Sequence, residues 1–189
     1  MGIETFKTPT DMWNYQEILF ALKPALIVEF GTCRGGSALF FASVMRQIGV
    51  PFTVLSVDIN YDFISTTAKA DPNIKLLTMS STDERVKSEI TSLRGQSERP
   101  AFFILDSDHS RNHVLEEMMS LREVTETGDY MVVEDSNVNG HPVLRSHGPG
   151  PYEAVEEYFH CFPRDYSRDE IRERKFGFTF ATRGFLIRR

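Results

Sequence analysis

Apolar and polar positions along this chain alternate between two periods. Met12, Tyr15, Ile18, Leu19 and Leu22 recur at helical spacing until Pro24 stops the run. Just ahead of them, Thr8-Pro9-Thr10-Asp11 has the make-up of a helix start: a hydroxyl cap, Pro in the first turn and an acid three residues after the cap. The short apolar run over 25–30, Ala-Leu-Ile-Val-Glu-Phe, suits a strand buried on both faces. Glycines at 31, 35 and 36 then lead into a second helical stretch through Leu39, Ala42, Met45 and Ile48.

The pattern repeats down the chain. Strands are predicted over 52–57, ending in Asp58, and over 74–79; Ser81-Thr-Asp-Glu84 reads as a capping box opening a helix to about Leu93. A strand over 101–105 precedes a helix carrying Val114, Leu115, Met118, Met119 and Leu121, closed by Gly128. A strand over 130–133 is followed by a helix from Pro151 with Ala154, Val155, Tyr158 and Phe159. Two last β runs, 176–180 and 185–187, are joined by a short Gly-containing turn and read as a hairpin. Strand-then-helix units followed by a hairpin predict an α/β fold: one domain over 1–189 with a doubly wound, mostly parallel, seven-stranded sheet and an antiparallel C-terminal hairpin. In such sheets ligands bind beyond the carboxyl ends of the strands, near the point where the strand order reverses.

Composition narrows the class. With 41% hydrophobic and 25% charged residues, disorder and fibrous scaffolds are excluded. The net charge of −6 argues against nucleic acid or an anionic membrane as the main partner. Arg164, Arg168, Arg172, Arg174 and Lys175 alternate with Asp165, Asp169, Glu170 and Glu173, which is a mixed-charge face rather than a basic patch. Cys33 and Cys161 match no metal or redox spacing, and the first residues carry no secretory or myristoylation pattern. No apolar run approaches the ~18 residues of a spanning helix, so a cytoplasmic, soluble protein is expected. The 15 Phe and 6 Tyr suit a rich core or the interface of a homo-oligomer equally.

The chemistry sits where the topology directs attention. Glu29-Phe-Gly-Thr-Cys-Arg-Gly-Gly-Ser37 follows the first strand. A phosphate-binding P-loop would need a Lys before Ser37, and the dinucleotide pattern Gly-x-Gly-x-x-Gly meets Cys33. The pattern Glu-x-Gly-x-x-x-Gly of an S-adenosylmethionine loop fits, and so does a Gly-rich corner that merely joins strand to helix. Asp58 is placed to accept the hydroxyls of an adenosine ribose, or to start a turn. Ser80-Ser81-Thr82-Asp83 offers polar groups where an adenine edge would lie, or a helix cap. The fourth and fifth strands end in Asp106-Ser-Asp108-His109 and Glu134-Asp135. So many carboxylates at one sheet edge call for a cation or for some of the acids to be protonated, and oxygen ligands favour Mg²⁺, Mn²⁺ or Ca²⁺ over Zn²⁺. Solvated acids at loop starts are the plainer reading. His109, among them, is a candidate base or a capping residue. His113, four residues on, imitates a zinc pair but lacks a third ligand and reads as a surface or packing residue. His141 and His147 lie in a Gly/Pro-rich stretch over 137–150 that is either a clamp over the site or a long connection.

WNYQEI at 13–18, IVEFGTCRGGSALFFA at 27–42, SVDI at 56–59, SSTD at 80–83, ILDSDHSRNHV at 104–114, VVEDSNVNGHPV at 132–143 and GPGPYEAVEE at 148–157 resemble the cephalosporin hydroxylase family. The resemblance runs from about residue 7 to the end. It implies a class I S-adenosylmethionine methyltransferase fold, Rossmann-like, similar to metal-dependent catechol-type and rhamnosyl or macrolide-sugar O-methyltransferases. It further implies cofactor contacts by Glu29, Gly31, Gly35, Ser37 and Asp58, to which the polar groups after the third strand add Ser81 as a candidate. It implies Mg²⁺ held by Asp106 or Asp108 with Glu134 and Asp135, and His109 as base. The additional N-terminal region of larger relatives is expected to be missing.

Fold alone does not settle function. The expected activity is S-adenosylmethionine- and Mg²⁺-dependent O-methylation of a small-molecule hydroxyl, on a natural product or sugar. Two rivals remain at this point. One is a nucleotide-sugar transferase using Asp106-Ser-Asp108 as its metal motif. The other is a cofactor-binding but inactive partner of a biosynthetic enzyme. Hydroxylation is disfavoured, because no facial triad for non-haem iron is clearly spaced.

Overall fold

A computed structural model describes residues 2–95 and 97–189. The elements run α1 (Pro9–Leu22), β1 (Leu26–Phe30), α2 (Gly36–Ile48), β2 (Thr53–Asp58), α3 (Thr66–Ala70), β3 (Ile74–Thr78), α4 (Glu84–Arg94), β4 (Ala101–Leu105), α5 (Arg111–Leu121), β5 (Tyr130–Val133), α6 (Pro151–Cys161), β6 (Tyr166–Arg168), α7 (Glu170–Arg174) and β7 (Phe185–Arg188). They build a seven-stranded sheet in the order β3-β2-β1-β4-β5-β7-β6. The first five strands are parallel; β7 runs antiparallel to both β5 and β6. The chain winds outward from β1 to β3 and returns to β4 on the other side of β1, so the strand order reverses between β1 and β4. Among the described residues no helix is long and apolar enough to cross a membrane.

The central strands are apolar on both faces because helices cover both. Leu26, Val28 and Phe30 of β1 join Phe103, Leu105, Met131 and Val133 in a core under α4, α5 and α6. Ile27 joins Phe102, Ile104 and Val132 in the opposite core under α1 and α2. That second core is organised by aromatic rings: Tyr15 lies 6.1 Å from Phe41, 6.0 Å from Phe102 and 6.4 Å from Phe185, centroid to centroid. Truncating one such ring to Ala typically costs ~3–5 kcal/mol.

Three local expectations change. The strand expected over 176–180 does not form, and the outer antiparallel neighbour of β7 is Tyr166–Arg168 instead. The 176–180 backbone has other uses: the Phe180 amide donates to the Asp11 carboxylate at 2.8 Å, and the Phe180 carbonyl accepts from the Asn137 amide. A three-residue Tyr-Ser-Arg edge strand is too short and too polar to announce itself by period. Asp11, expected to complete a helix cap, is thereby spent on holding the C-terminal segment to α1. Finally, α4 is capped by Asp83, whose carboxylate accepts from the Arg85 amide, rather than by Ser81.

Candidate functional site

Strand register brings the loop starts together. The Gly31 amide donates to Val57 O at 2.9 Å, the Asp106 amide to Phe30 O at 2.9 Å and the Glu134 amide to Leu105 O at 3.0 Å. The loops after β1, β4 and β5 therefore leave the sheet side by side. Gly31 has to be glycine for the protein's own sake: a Cβ there would stand 1.9 Å from the Asp106 carbonyl oxygen, at φ +90°. Gly36 is shaped by the N-terminal strap, since its Cβ would meet Thr5 Oγ1 at 1.9 Å. At these two positions the missing Cβ makes room for the chain itself.

Two cavities open at this edge. The first, about 450 Å³, is lined by Gly31, Asp58, Ile59, Ser81, Asp108 and His113 among others. Asp58 is fixed there by the Gly-rich loop, whose Thr32 and Cys33 amides donate to its Oδ2 at 2.8 and 3.0 Å. Cys33 adopts a left-handed φ of +48° to present that amide. Glu29 does not line this cavity. It is fully buried behind the loop, where the Ser56 hydroxyl donates to its Oε2 at 2.7 Å, and burial pushes its pKa up against the pull of Lys7, Ser37 and Ser56. Gly35, in the left-handed region, caps the start of α2, and Ser37 in the first turn of that helix faces the second cavity.

The second cavity, about 230 Å³, lies between the N-terminal strap and the acids; Lys7, Ser37, Asp106, His109 and Asp135 line it. His109 Nδ1 stands 3.1 Å from Asp135 Oδ2, and its Nε2 3.4 Å from Asp106 Oδ1. Asp135 reaches inward from a left-handed φ of +51°, a conformation uncommon outside glycine. Glu134 turns instead into the core side, where its Oε1 accepts from Lys7 Nζ at 2.8 Å and from the Tyr15 hydroxyl at 2.9 Å. Lys7 also reaches Asp106 Oδ2 at 2.6 Å with its side chain only 4% exposed. Asp108 leaves the group: its exposed carboxylate accepts from the Ser110 amide and starts α5. The two acids of Asp106-Ser-Asp108 thus diverge, which removes the basis for a shared metal motif of a nucleotide-sugar transferase.

Lys7 and Tyr15 are the residues that reading the sequence missed. Tyr15 counted as one more apolar position of α1, and a lysine before the first helix carries no pattern at all. Their charges and hydroxyl organise the acids. Burial works against charge on Lys7, yet Asp106, Glu134 and Glu29 outweigh it and raise its pKa. Burial likewise pushes Asp106 up, but Lys7 and His109 hold it below the ordinary carboxylate range. In Glu134 burial wins over Lys7 and the pKa rises; in Asp135 burial wins over His109 with the same result. The hydrogen bond with Asp106 raises His109 above the usual imidazole value. Neighbouring acids pushed in opposite directions are a feature of functional sites.

The donor set suits a hard divalent cation. One ligand atom each from Asp106, His109 and Asp135 can be chosen so that all lie within 4.8 Å of one another. A cation about 2.0–2.6 Å from its ligands fits such a triangle. The 137–150 stretch packs beside it and is anchored by Glu153, which accepts from Asn139 at 2.8 Å and from the Gly150 amide at 2.7 Å and stands 3.0 Å from His141 Nε2. His141 stacks on Tyr152 at 3.5 Å.

The sheet order, the reversal between β1 and β4 and the antiparallel β7 define a class I S-adenosylmethionine methyltransferase fold. Solved structures agree: a CmcI structure described as Mg-SAM superposes with a TM-score of 0.75 at 24% identity, covering 100% of this chain and 75% of that one. An O-methyltransferase from Bacillus cereus in complex with SAH gives 0.61 at 12% identity, covering 96% and 82%. In sequence, the chain is 54% identical over 188 residues to the rhamnosyl O-methyltransferase of Mycobacterium tuberculosis (strain ATCC 25618 / H37Rv), covering 100% of this chain and 77% of the relative. The Mycobacterium leprae (strain TN) relative of that name is 54% identical over 189 residues, covering 100% and 82%. Residues 1–189 match the Rhamnosyl O-methyltransferase/CmcI family, and the chain belongs to it.

Proposed function

We propose that the chain is an S-adenosylmethionine- and Mg²⁺-dependent O-methyltransferase acting on a hydroxyl of a small molecule, a sugar of the rhamnosyl type. One observation carries this: the two cavities share a wall made of Gly31, Cys33, Asp106 and Ser107. A nucleoside-sized donor site and an acid-lined acceptor site therefore meet at a single point of the sheet edge. When bound, the cofactor supplies a methyl group on a sulfonium and the cation supplies positive charge that makes an acceptor hydroxyl easier to ionise.

The chain's own residues do the rest. The loop amides bind Asp58 Oδ2, and Oδ1, which takes only a long 3.4 Å bond from the Asn60 amide, keeps room for ribose hydroxyls. Ser81 faces the same cavity, and Ser37, Gly31 and Gly35 shape the loop that separates the two sites. Asp106 and Asp135 hold the cation, with Glu134 behind them fixed by Lys7 and Tyr15. Of the pair Asp106 and Asp108, we take Asp106, because Asp108 is spent on α5. With the two acids rather than its ring serving the cation, His109 is left to accept the proton of the acceptor hydroxyl at Nε2, its ring oriented by Asp135 through Nδ1. Holding donor and acceptor in line across the shared wall supplies much of the rate. We read 1–189 as one cofactor-binding unit, single or in a homo-oligomer, acting on a small molecule rather than on nucleic acid. A reducing, cytoplasmic setting matches its two exposed free cysteines.

The test is calorimetric titration of S-adenosylmethionine and of NAD⁺, followed by methyl transfer to rhamnose-bearing acceptors in Mg²⁺. S-adenosylmethionine is expected to bind, and His109→Ala to lower turnover by ~10² or more while cofactor affinity stays within a few-fold. Binding of NAD⁺ instead, or of neither ligand, would sink the proposal.

A further inference from the structure

Beneath the first cavity lies an acid that the methyl-transfer chemistry does not use. Glu117, in the second turn of α5, has no exposed surface. Its Oε1 accepts from the Ser81 hydroxyl and from the Ser107 hydroxyl, each at 2.5 Å. Both serines line the cavity, as does His113, which stands one turn earlier on the helix with Nε2 3.0 Å from Ser81 Oγ and 3.3 Å from Glu117 Oε1. Glu117 Oε2 is buried without a hydrogen-bond partner among the described residues. A buried carboxylate with an unpaired oxygen is costly, and burying it merely to hold two serines is a poor use of it.

The geometry has a definite consequence for hydrogen-bond polarity. A serine hydroxyl has one proton and two lone pairs. An ionised carboxylate only accepts, so the single protons of Ser81 and Ser107 both point down at Glu117. His113 Nε2 must then carry a proton and donate to Ser81. The same N–H is drawn by Glu117 Oε1 at 3.3 Å, and that acceptor raises the His113 pKa above the usual imidazole value. What remains facing the cavity is lone pairs: two on Ser107 and one on Ser81, with the Asp58 and Asp108 carboxylates in the same wall.

We propose that Glu117 sets the purine specificity of this cavity by turning Ser81 and Ser107 into pure hydrogen-bond acceptors, which welcome a 6-amino purine and oppose a 6-oxo purine. The inference rests on the reading of the cavity as the nucleoside site of an S-adenosyl cofactor. It adds a positioning residue, since Glu117 acts through the two serines. An exocyclic amine offers two protons to such a wall, whereas a 6-oxo group brings its own lone pairs against it. Sites that pair buried polar groups with a ligand's N–H discriminate strongly against analogues lacking it.

The experiment is calorimetric titration of S-adenosylhomocysteine and S-inosylhomocysteine into the wild-type chain, Glu117→Gln and Ser107→Ala, with the fold of each checked by circular dichroism. The wild type is expected to prefer the adenosyl ligand by at least about tenfold. In Glu117→Gln the side-chain amide can donate to a serine and release its proton, so the preference is expected to fall below about threefold. Should that variant fail to fold, Ser107→Ala keeps Glu117 paired to Ser81 and is still expected to lose at least threefold of the preference. A role that is only structural would weaken both ligands in parallel and leave their ratio unchanged, which would overturn the proposal. Equal affinity of the wild type for both ligands would overturn it while leaving the cofactor reading intact. Binding of neither ligand by the wild type would bring down both.

Discussion

Asp129 and Asp135 stand at opposite ends of the same strand and have opposite fates. At the amino end of β5, Asp129 is 1% exposed and receives four donors: Arg94 Nη2 at 2.8 Å and the Ala101 amide at 2.8 Å on Oδ1, Arg94 Nη1 at 2.7 Å and the Glu126 amide at 2.8 Å on Oδ2. Every lone pair of that carboxylate is used within the protein. At the carboxyl end, Asp135 is half-buried, held at a left-handed φ, and has among the described residues only His109 within ion-pair distance. The first acid is a bolt that fastens α4 to β4 and β5. The second is left short of partners, and charge left short of partners in a cleft is what a ligand completes. The contrast sets a carboxylate saturated by the protein against one left with room for a ligand, on one and the same strand.

The comparison can be broken from its structural end first. Arg94→Met leaves Asp129 buried with its two backbone donors but without its countercharge, so it is expected to destabilise the fold by ~3–5 kcal/mol in urea titrations. A change within about 0.5 kcal/mol would mean that the two ends differ less than their hydrogen bonds indicate. A smaller effect sharpens the picture, because Glu153 lies between the extremes. Burial pushes its carboxyl up, but the Gly150 amide, Asn139 and His141 outweigh that and hold it at about 2, below the usual ~4.3 of an unfolded chain. Such an acid adds stability that is complete above about pH 4.3 and fades as pH falls through 2. The difference in unfolding stability between wild type and Glu153→Gln is therefore expected to be constant above pH 5 and to close towards pH 2. A difference unchanged at pH 2 would show that Glu153 is not titrating with its partners.

Much of the site was legible because parallel strands make it so. Asp58, Asp106 and the Glu134-Asp135 pair each end a β run, and topology alone sends such residues to one edge. Lys7 could not be found this way, since its partners lie 99 and 127 residues distant in the chain. Glu117 could not be found either, because Leu115-Glu-Glu-Met118 does not say which of its two acids turns inward. The strand expected over 176–180 failed for a related reason: Phe176, Phe178 and Phe180 alternate like a strand, but Gly177 turns the backbone at φ +76° and Asp11 takes the Phe180 amide. Local pattern locates ends of strands well and long-range side-chain partners hardly at all.

Calorimetric titration of Mn²⁺ and Mg²⁺ into the purified chain and into Asp135→Asn tests the contrast most directly. One divalent cation is expected to bind the wild type, and the variant to bind at least ~10-fold more weakly, in line with losses seen when the surroundings of metal ligands are disturbed. Its melting temperature should match the wild type in the absence of cation. A wild type that takes up no cation, or a variant that binds it equally well, would contradict the assignment of the under-partnered acids to a cation.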